Sequence, residues 1–324
     1  MRLMLAPMEG VIDHTMRHLL SSLGGLDRCV TEFLRVSDRL LPPRVFHRIC
    51  PELASAGTTP AGVPVYLQLL GGQPQPMAEN AARGAELGAP GIDLNFGCPA
   101  KTVNRSDGGS ILLREPERVG AIVEAVRQAV PATTPVTVKI RLGYDDAERF
   151  RDNIQAIAGA GASELTIHAR TKRQGYRPPA HWDQIALARQ WLAIPVIANG
   201  EVWSLEDARR CRDVSQCGDL MLGRGALCRP DLPRLLRAAD SGEDIAPLAW
   251  AEVCDLILTF FDLTLASYDA DCVGNPLKQW LVYLRTYYPQ AALLFERIKR
   301  LRKPADLQQL LLQEQVAQNP AAAA

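Results

Sequence analysis

The chain has 324 residues, a formal net charge of zero and 47% hydrophobic residues. This length exceeds that of a typical small domain but suits an α/β barrel with an added unit, and the apolar content is enough for a sizeable core. The zero net charge excludes a global electrostatic attraction to nucleic acid or membrane, so either partner would have to be bound by a local patch.

The eight cysteines include no C-x-x-C pair, and Cys211 and Cys217 are too widely spaced for a common zinc knuckle. We therefore expect no metal site. Free thiols in this number are typical of a reducing compartment, which predicts a cytoplasmic protein. The apolar run before Pro7 spans only about four residues, too short for a signal peptide, and no run approaches the roughly 20 residues of a transmembrane helix.

Short apolar segments recur eight times and are each followed by glycine, proline or polar residues. Most are continuous rather than alternating, which is typical of parallel strands covered on both faces. Amphipathic stretches separate most of them, so the pattern predicts a (β/α)8 TIM barrel. The predicted strands are Leu3–Ala6, Cys29–Thr31, Pro64–Leu69, Gly91–Asn95, Val136–Ile140, Glu164–His168, Pro195–Ala198 and Asp219–Leu222.

Helical patterns lie between these strands, and the polar segment Arg35–Gly62 predicts a long loop rather than a second domain. Ser204 followed by Asp207 predicts a helix N-cap. The predicted barrel helices are Met77–Leu87, Pro116–Val130, Arg149–Ala160 and Ser204–Cys211.

After Leu227 the strand pattern stops, and a small all-helical C-terminal domain is predicted. We place the boundary near Gly242–Pro247, so that residues 1–242 form the barrel, 247–318 the helical domain and 319–324 a disordered tail. The predicted helices are Leu248–Tyr268, Pro276–Tyr288, Gln290–Lys303 and Ala305–Val316.

The segment Asp93–Lys101 places a cysteine on a tight turn directly after a predicted buried strand. Gly97 permits a positive φ and Pro99 fixes φ on either side of Cys98, and Asn95 offers a donor and an acceptor just before the turn. A thiol held still in this way indicates a chemical role rather than the core-filling role common for buried cysteines.

Polar and basic residues follow seven of the eight predicted strands. The carboxyl ends of barrel strands form one rim, and active sites lie there. A single lysine could be an ordinary surface residue and a lone histidine a satisfied core residue, but their joint placement predicts an active site. The residues are Pro7, Met8, Glu9, Gln68, Asn95, Cys98, Lys139, Arg141, His168, Arg170, Asn199, Gly200, Glu201, Gly223, Arg224 and Gly225.

Glycines follow the last two strands directly, in Ile197–Gly200 and Met221–Gly225. Backbone N–H groups there can approach an anion and Arg224 adds donors, at the usual phosphate site of such barrels. The alternative is that these glycines only make tight turns. Lys139 would place positive charge beside the pyrimidine edge of a flavin, and Gln68 could hydrogen-bond that edge. No G-x-G-x-x-G follows the first strand, which argues against a Rossmann dinucleotide site.

A basic segment lies in the predicted helical domain, where residues 278–303 include seven basic residues and one acidic residue. Lys278 and Arg285 are seven positions apart and so share a helix face. This segment predicts a surface for nucleic-acid phosphates, the alternative being an ordinary solvated face over core tyrosines. Arg35 and Arg141, on the rim loops, could also meet RNA.

Seven segments of the chain match motifs of one protein family: Leu5–Gly10, Val30–Val36, Asn95–Val103, Lys139–Gly143, His168–Thr171, Pro195–Glu201 and Met221–Leu227. Together they resemble the tRNA-dihydrouridine synthases over nearly the whole chain. Two further segments, Arg44–Leu53 and Lys278–Arg285, resemble the bacterial C-type branch in particular.

The resemblance implies that FMN is bound across the barrel mouth and is reduced by NADPH. It implies hydride transfer to C6 of the uracil at position 16 of the tRNA D-loop. Cys98 would protonate C5 of that uracil, and Asn95 would fix the base. Glu9 and Glu201 match motif positions without an assigned contact. The implied FMN residues are Pro7, Met8, Glu9, Gln68, Lys139, His168, Asn199, Gly200, Glu201, Gly223 and Arg224. The implied tRNA residues are Arg35, Asn95, Arg141, Lys278 and Lys299.

We expect a monomer that binds no membrane. Two alternatives stay open on the sequence: an FMN barrel dehydrogenase acting on a free pyrimidine, and a non-catalytic tRNA-binding protein. The first would not need a basic helical appendage, and the second would be colourless.

Overall fold

A computed structural model describes residues 1–318 of the chain. The predicted disordered tail, residues 319–324, lies outside the described residues. The strands are parallel and close into a barrel, because the first strand pairs with both the second and the last. The strands are β1 (Leu3–Leu5), β2 (Arg28–Val30), β3 (Leu34–Arg35), β4 (Val65–Leu70), β5 (Ile92–Phe96), β6 (Val136–Arg141), β7 (Glu164–His168), β8 (Val196–Asn199) and β9 (Leu220–Leu222).

All eight predicted strands are present, so the predicted TIM barrel is confirmed. The additional strand, β3, has two residues and pairs with the carboxyl end of β4, at Leu34 and Leu69. β2 pairs with the amino end of β4, at Cys29 and Val65, so β2 and β3 together occupy one position of the barrel. A two-residue strand carries too little pattern to be predicted from sequence.

Helices cover the outside of the barrel, and the predicted N-cap is confirmed by the Asp207 backbone nitrogen, which donates to Ser204 Oγ over 3.1 Å. The helices of this part are α1 (His14–Ser22), α2 (Pro43–Ile49), α3 (Pro74–Glu86), α4 (Lys101–Arg105), α5 (Pro116–Ala129), α6 (Phe150–Gly159), α7 (Trp182–Trp191), α8 (Leu205–Ser215), α9 (Arg224–Cys228) and α10 (Leu232–Ser241), with 3-10 helices at Pro51–Ser55 and Gly109–Arg114.

The prediction of a long loop at Arg35–Gly62 is wrong, because this segment contains α2 and the first 3-10 helix. Phe46 is the only fully buried residue of α2, so the helix shows no hydrophobic repeat in the sequence. A buried ion pair anchors the segment to the barrel instead: Arg17 on α1 donates to both carboxylate oxygens of Glu52, over 2.8 and 2.9 Å.

Four further helices follow the barrel, in the region predicted to be a separate domain: α11 (Trp250–Ser267), α12 (Gly274–Leu284), α13 (Pro289–Ile298) and α14 (Pro304–Gln318). They pack on the barrel through α1 and α9, and Trp280 Nε1 on α12 donates to the carbonyl oxygen of Leu227 over 3.0 Å. This contact directs one face of α12 toward the carboxyl end of the barrel. None of the helices within residues 1–318 is both long and apolar enough to cross a bilayer.

Candidate active site

A cavity of about 540 Å³ opens at the carboxyl ends of the barrel strands. Small-molecule sites commonly occupy roughly 300–1,000 Å³. Every residue predicted to bind a cofactor lines it, together with the predicted catalytic cysteine. The predicted residues on its wall are Pro7, Met8, Glu9, Gln68, Asn95, Cys98, Lys139, Arg141, His168, Asn199, Gly200, Glu201, Gly223 and Arg224.

Three predicted tRNA-binding residues lie outside this cavity. Arg35 is exposed at the end of β3. Lys278 donates from Nζ to the carbonyl oxygen of Leu301 over 2.5 Å, and Lys299 forms an ion pair with Glu296. The structure therefore gives both lysines a partner within the helical region, a use that the sequence pattern does not reveal.

Cys98 is held at the cavity by the turn that follows β5. The Oδ1 atom of Asn95 accepts hydrogen bonds from the backbone nitrogens of Gly97 and Cys98, over 2.9 and 2.8 Å. The carbonyl oxygen of Cys98 accepts from Asn104 Nδ2 over 3.0 Å and from Ser110 Oγ over 2.9 Å. Hydrogen bonds on both sides of the residue thus fix its backbone. The positive φ expected at Gly97 is not observed, so these bonds, and not a left-handed glycine, hold the turn.

The Cys98 thiol is half-buried, whereas Cys272 is exposed and the other six cysteines are buried. Burial raises the pKa of Cys98, and the nearby carboxylate of Glu9 raises it further. A raised pKa keeps the sulfur protonated at neutral pH. Cys98 is therefore suited to donate a proton rather than to attack as a thiolate.

Positive charge is concentrated in the same cavity. Lys139, Arg141 and Arg224 all line the cavity, and none of them forms an ion pair with a carboxylate of residues 1–318. Burial, together with the charge of the neighbouring Arg141, lowers the pKa of Lys139 to about 8. Three cations that share a cavity and have no carboxylate partner favour a negatively charged ligand there.

His168 ends β7 beside these cations. Burial, followed by the charges of Arg141 and Lys139, lowers its pKa well below the ordinary value, so the imidazole is neutral at pH 7. Its Nδ1 is buried and has no hydrogen-bond partner among the described residues. The imidazole therefore adds a polar but uncharged group to the cavity wall.

The glycine turns after β8 and β9 leave room beside the imidazole. Gly200 has a φ of +115°, and a Cβ at this position would lie 3.4 Å from His168 Nε2. Asn199 Nδ2 donates to the carbonyl oxygen of Met221 over 2.8 Å, which ties the two turns together. The open backbone at Gly200 and Gly223 is what an approaching phosphate requires.

Glu201 faces the protein rather than a free ligand. It has a φ of +63°, its carboxylate pairs with the buried guanidinium of Arg170, and it accepts a hydrogen bond from Trp203 Nε1 over 3.0 Å. Arg224 lies between two aromatic rings, 4.8 Å from the centroid of Tyr176 and 4.7 Å from that of Trp203. Glu201 therefore supports the turn and the ring that Arg224 contacts.

Four aromatic residues of the cavity wall were not predicted as site residues: Phe33, Tyr176, Trp203 and Tyr283. Tyr176 is exposed and meets the His168 ring edge-on, with 6.0 Å between centroids. It belongs to a glycine- and proline-rich loop after β7, and an aromatic residue in such a loop is a signal that could have been used. Tyr283 comes from α12, so only the packing of the helical region reveals it.

Comparison with known proteins gives a consistent result. The sequence profile of the family described as "Dihydrouridine synthase (Dus)" matches residues 4–320. A protein of Pseudomonas syringae named tRNA-dihydrouridine(16) synthase is 50% identical over 300 residues, covering 93% of this chain and 95% of its own. A protein of the same name from Shewanella oneidensis is 49% identical, covering 97% of this chain and 98% of its own. Another from Escherichia coli K12 is 48% identical, covering 95% of this chain and 96% of its own.

Solved structures share the fold at much lower identity. Histamine dehydrogenase from Rhizobium sp. 4-9 superimposes with a TM-score of 0.54 at 16% identity, covering 81% of this chain and 49% of that chain. A variant of NCR from Zymomonas mobilis superimposes with a TM-score of 0.52 at 13% identity, covering 77% of this chain and 89% of that chain. These likenesses support the barrel architecture.

Proposed function

The chain belongs to the dihydrouridine synthase family, and we propose on this premise that it is a flavin-dependent oxidoreductase that reduces the C5–C6 double bond of a uridine in tRNA. We further propose FMN as the flavin, NADPH as the reductant and uridine 16 of the D-loop as the target. The printed name of the relatives, which specifies position 16, supports the last of these.

The observation that carries the proposal is a protonated thiol and a cationic wall in one cavity. Cys98 lies on one side, while Lys139, Arg141 and Arg224 line the same space. Reduction of a double bond needs a hydride source and a proton source. The thiol can supply the proton, and the cations can hold an anionic cofactor that supplies the hydride.

The residues present fit a flavin mononucleotide. The turns at Gly200 and Gly223, with Arg224, would hold the phosphate, and Lys139 would lie beside the electron-rich part of the ring. The neutral imidazole of His168 lines the same space. The chemistry that a bound flavin supplies is hydride transfer to C6 of the uracil.

The protein's own contribution to the chemistry is a proton at C5, which we assign to Cys98. Its raised pKa keeps the Sγ–H proton in place at neutral pH until it is transferred. Asn95, whose backbone-facing Oδ1 already holds the Cys98 turn, lies beside it on the cavity wall and would fix the base. Arg141 reaches the same turn and donates from Nε to the carbonyl oxygen of Gly97 over 2.9 Å.

A uridine within folded tRNA must leave its stack to enter such a cavity, and the enzyme must hold the surrounding RNA. We assign this holding to the helical region, residues 247–318. Arg285, Arg300, Arg302 and Lys303 are exposed there, and none of them pairs with a carboxylate in the described part of the chain. Arg35 on the barrel rim would extend the contact. We also propose that the protein acts as a cytoplasmic monomer.

The test is to incubate the purified protein and NADPH with unmodified tRNA, and separately with free uracil. The proposal expects a yellow protein, NADPH oxidation that depends on tRNA, and dihydrouridine mapped to position 16 alone. Turnover of free uracil without tRNA would favour a pyrimidine dehydrogenase. A colourless protein that binds tRNA without changing it would contradict catalysis.

A further inference from the structure

A chain of hydrogen bonds runs from the barrel interior to the Cys98 turn. It begins at Asp93 on β5, which is 1% exposed. One carboxylate oxygen of Asp93 accepts from Thr137 Oγ1 over 2.5 Å, and the other accepts from Gln68 Nε2 over 2.7 Å. Gln68 is fully buried, so no solvent competes for these bonds.

The chain continues through two amides. Asn95 Nδ2 donates to Gln68 Oε1 over 2.8 Å, and Asn95 Oδ1 accepts from the backbone nitrogen of Cys98 over 2.8 Å. Barrel register places the participants together. Gln68 is opposite Asp93, Asp93 is opposite Thr137, and Asn95 lies two residues after Asp93 on the same face of β5.

The order of donors and acceptors in this chain is fixed at both ends, by the carboxylate of Asp93 and by the backbone N–H groups of Gly97 and Cys98. Burial raises the pKa of Asp93, and the hydrogen bonds from Gln68 and Thr137 oppose this shift by favouring the ionised form. In that form the carboxylate can only accept, so Gln68 must turn its NH₂ group to Asp93 and its oxygen to Asn95. Asn95 must then turn its NH₂ group to Gln68, which leaves its oxygen for the Cys98 turn. A reversed Gln68 would set its NH₂ group against that of Asn95, so either the bond between the two amides or the bonds from the Gly97 and Cys98 nitrogens to Asn95 Oδ1 would be lost.

We infer that Asp93 is a positioning residue, which fixes the amide orientation of Gln68, supports Asn95 through it, and thereby holds Cys98 where it delivers its proton. The role in proton delivery rests on the function proposed above. Gln68 also lines the cavity, so the same chain links the cofactor wall to the Cys98 turn.

Asp93→Leu and Asp93→Asn separate this role from simple burial. Leucine removes the acceptor, whereas asparagine can offer its oxygen to Gln68 and its NH₂ group to the hydroxyl of Thr137, which preserves the order. Asn153→Leu is the matched control, because Asn153 is equally buried and its Nδ2 donates to the carbonyl oxygens of Leu113 and Arg149, away from the cavity.

The readout that needs no catalysis is alkylation of Cys98 by iodoacetamide in flavin-free protein. A Cys272→Ser background removes the exposed thiol. We expect Cys98 to be alkylated several-fold faster in Asp93→Leu than in the parent, because the turn is released. The alkylation rates of Asp93→Asn and Asn153→Leu should remain close to that of the parent. In the loaded enzyme, tRNA-dependent oxidation of the reduced flavin should fall about tenfold or more in Asp93→Leu alone.

Gln68→Glu provides a second variant that keeps the side-chain shape. Its carboxyl can donate to Asp93 only when protonated, so the chain should hold at low pH and break as pH rises. The ratio of its Cys98 alkylation rate to that of the parent should therefore increase with pH.

The inference is overturned if Cys98 of Asp93→Leu is alkylated at the parent rate, or if Asn153→Leu shows the same acceleration as Asp93→Leu. It is also overturned if the ratio of the Gln68→Glu alkylation rate to the parent rate does not change with pH. Because alkylation requires neither flavin nor tRNA, such a result is distinct from failure of the proposed reaction, which would show as unmodified tRNA with the unaltered enzyme.

Discussion

Lys139 Nζ donates a hydrogen bond to Asn199 Oδ1 over 2.9 Å, across the mouth of the barrel from β6 to β8. This bond fixes the ammonium group beside the glycine turn at Gly200. No carboxylate of the described residues pairs with it, although Asp93 lies near enough to raise its pKa slightly against the effect of burial.

Flavin affinity of the flavin-free protein should fall as pH rises through about 8, because burial lowers the pKa of Lys139 to about 8 and the neutral amine no longer attracts an anion. The sign follows from the charged form existing below that pH. Fluorescence titrations on both sides of pH 8 measure it. Lys139→Met should bind more weakly and lose this step, and an identical step in that variant would exclude Lys139 as its source.

Gly200→Ala should weaken flavin binding by about tenfold, because a Cβ at a φ of +115° is strained and would lie 3.4 Å from His168 Nε2. Gly218→Ala is the matched control, since nothing lies within 4 Å of a Cβ there. Equilibrium dialysis of flavin with the two variants measures the difference. Equal affinities would indicate that the turn after β8 does not contact the cofactor.

Arg285→Gln and Arg300→Gln should each weaken tRNA binding and reduce the slope of log affinity against log salt by about one, because each removes one phosphate contact. Lys299→Gln should change less, because Lys299 is already paired with Glu296. Lys278 is a poor test, since it also supports the backbone at Leu301. Filter binding over a salt series gives the slopes. A larger loss of tRNA affinity in Lys299→Gln than in Arg300→Gln would contradict the assignment of this surface to tRNA binding.

Arg17→Met should lower the free energy of unfolding by about 3–5 kcal/mol, because it leaves the carboxylate of Glu52 buried without a partner. Arg209→Gln breaks an exposed pair with Glu206 and should cost less than about 1 kcal/mol. Urea unfolding of both variants tests the comparison. Similar losses would show that the pair does not anchor the segment containing α2.

Much of the fold could be predicted because most barrel strands are continuous apolar runs, and polar or basic residues follow seven of the eight predicted strands. Leu220–Leu222 followed by Gly223 is a typical case. The helix α2 escaped prediction because its anchoring depends on the pairing of Arg17 with Glu52, which are 35 residues apart in the chain. A contact of that kind leaves no periodic trace in the sequence.

The candidate site divides in the same way. Residues at strand ends could be assigned to the rim, since barrel geometry brings those ends together. Tyr283 and the internal contact of Lys278 depend on how α12 packs, and hydrophobic spacing alone does not orient a helix that precisely along its axis. The role inferred for Asp93 could not be predicted from the sequence, because it depends on which residues of the neighbouring strands lie opposite this buried carboxylate.

The pH dependence of the tRNA step should follow the thiol of Cys98. Burial raises its pKa, so the protonated form persists through neutral pH and is lost only as pH rises above the ordinary range of a cysteine. The rate of reduced-flavin oxidation by tRNA should therefore be level near neutrality and fall in alkaline solution. A rate that rises with pH would indicate that the thiolate is the active form.

The most direct test is to measure the two half-reactions separately in Cys98→Ala, with Cys272→Ala as the control. Reduction of the flavin by NADPH should proceed normally in both variants, while oxidation of the reduced flavin by tRNA should slow by roughly 10²–10⁴-fold in Cys98→Ala alone. Oxidation by tRNA at the unaltered rate in Cys98→Ala would contradict the assignment of the proton donor.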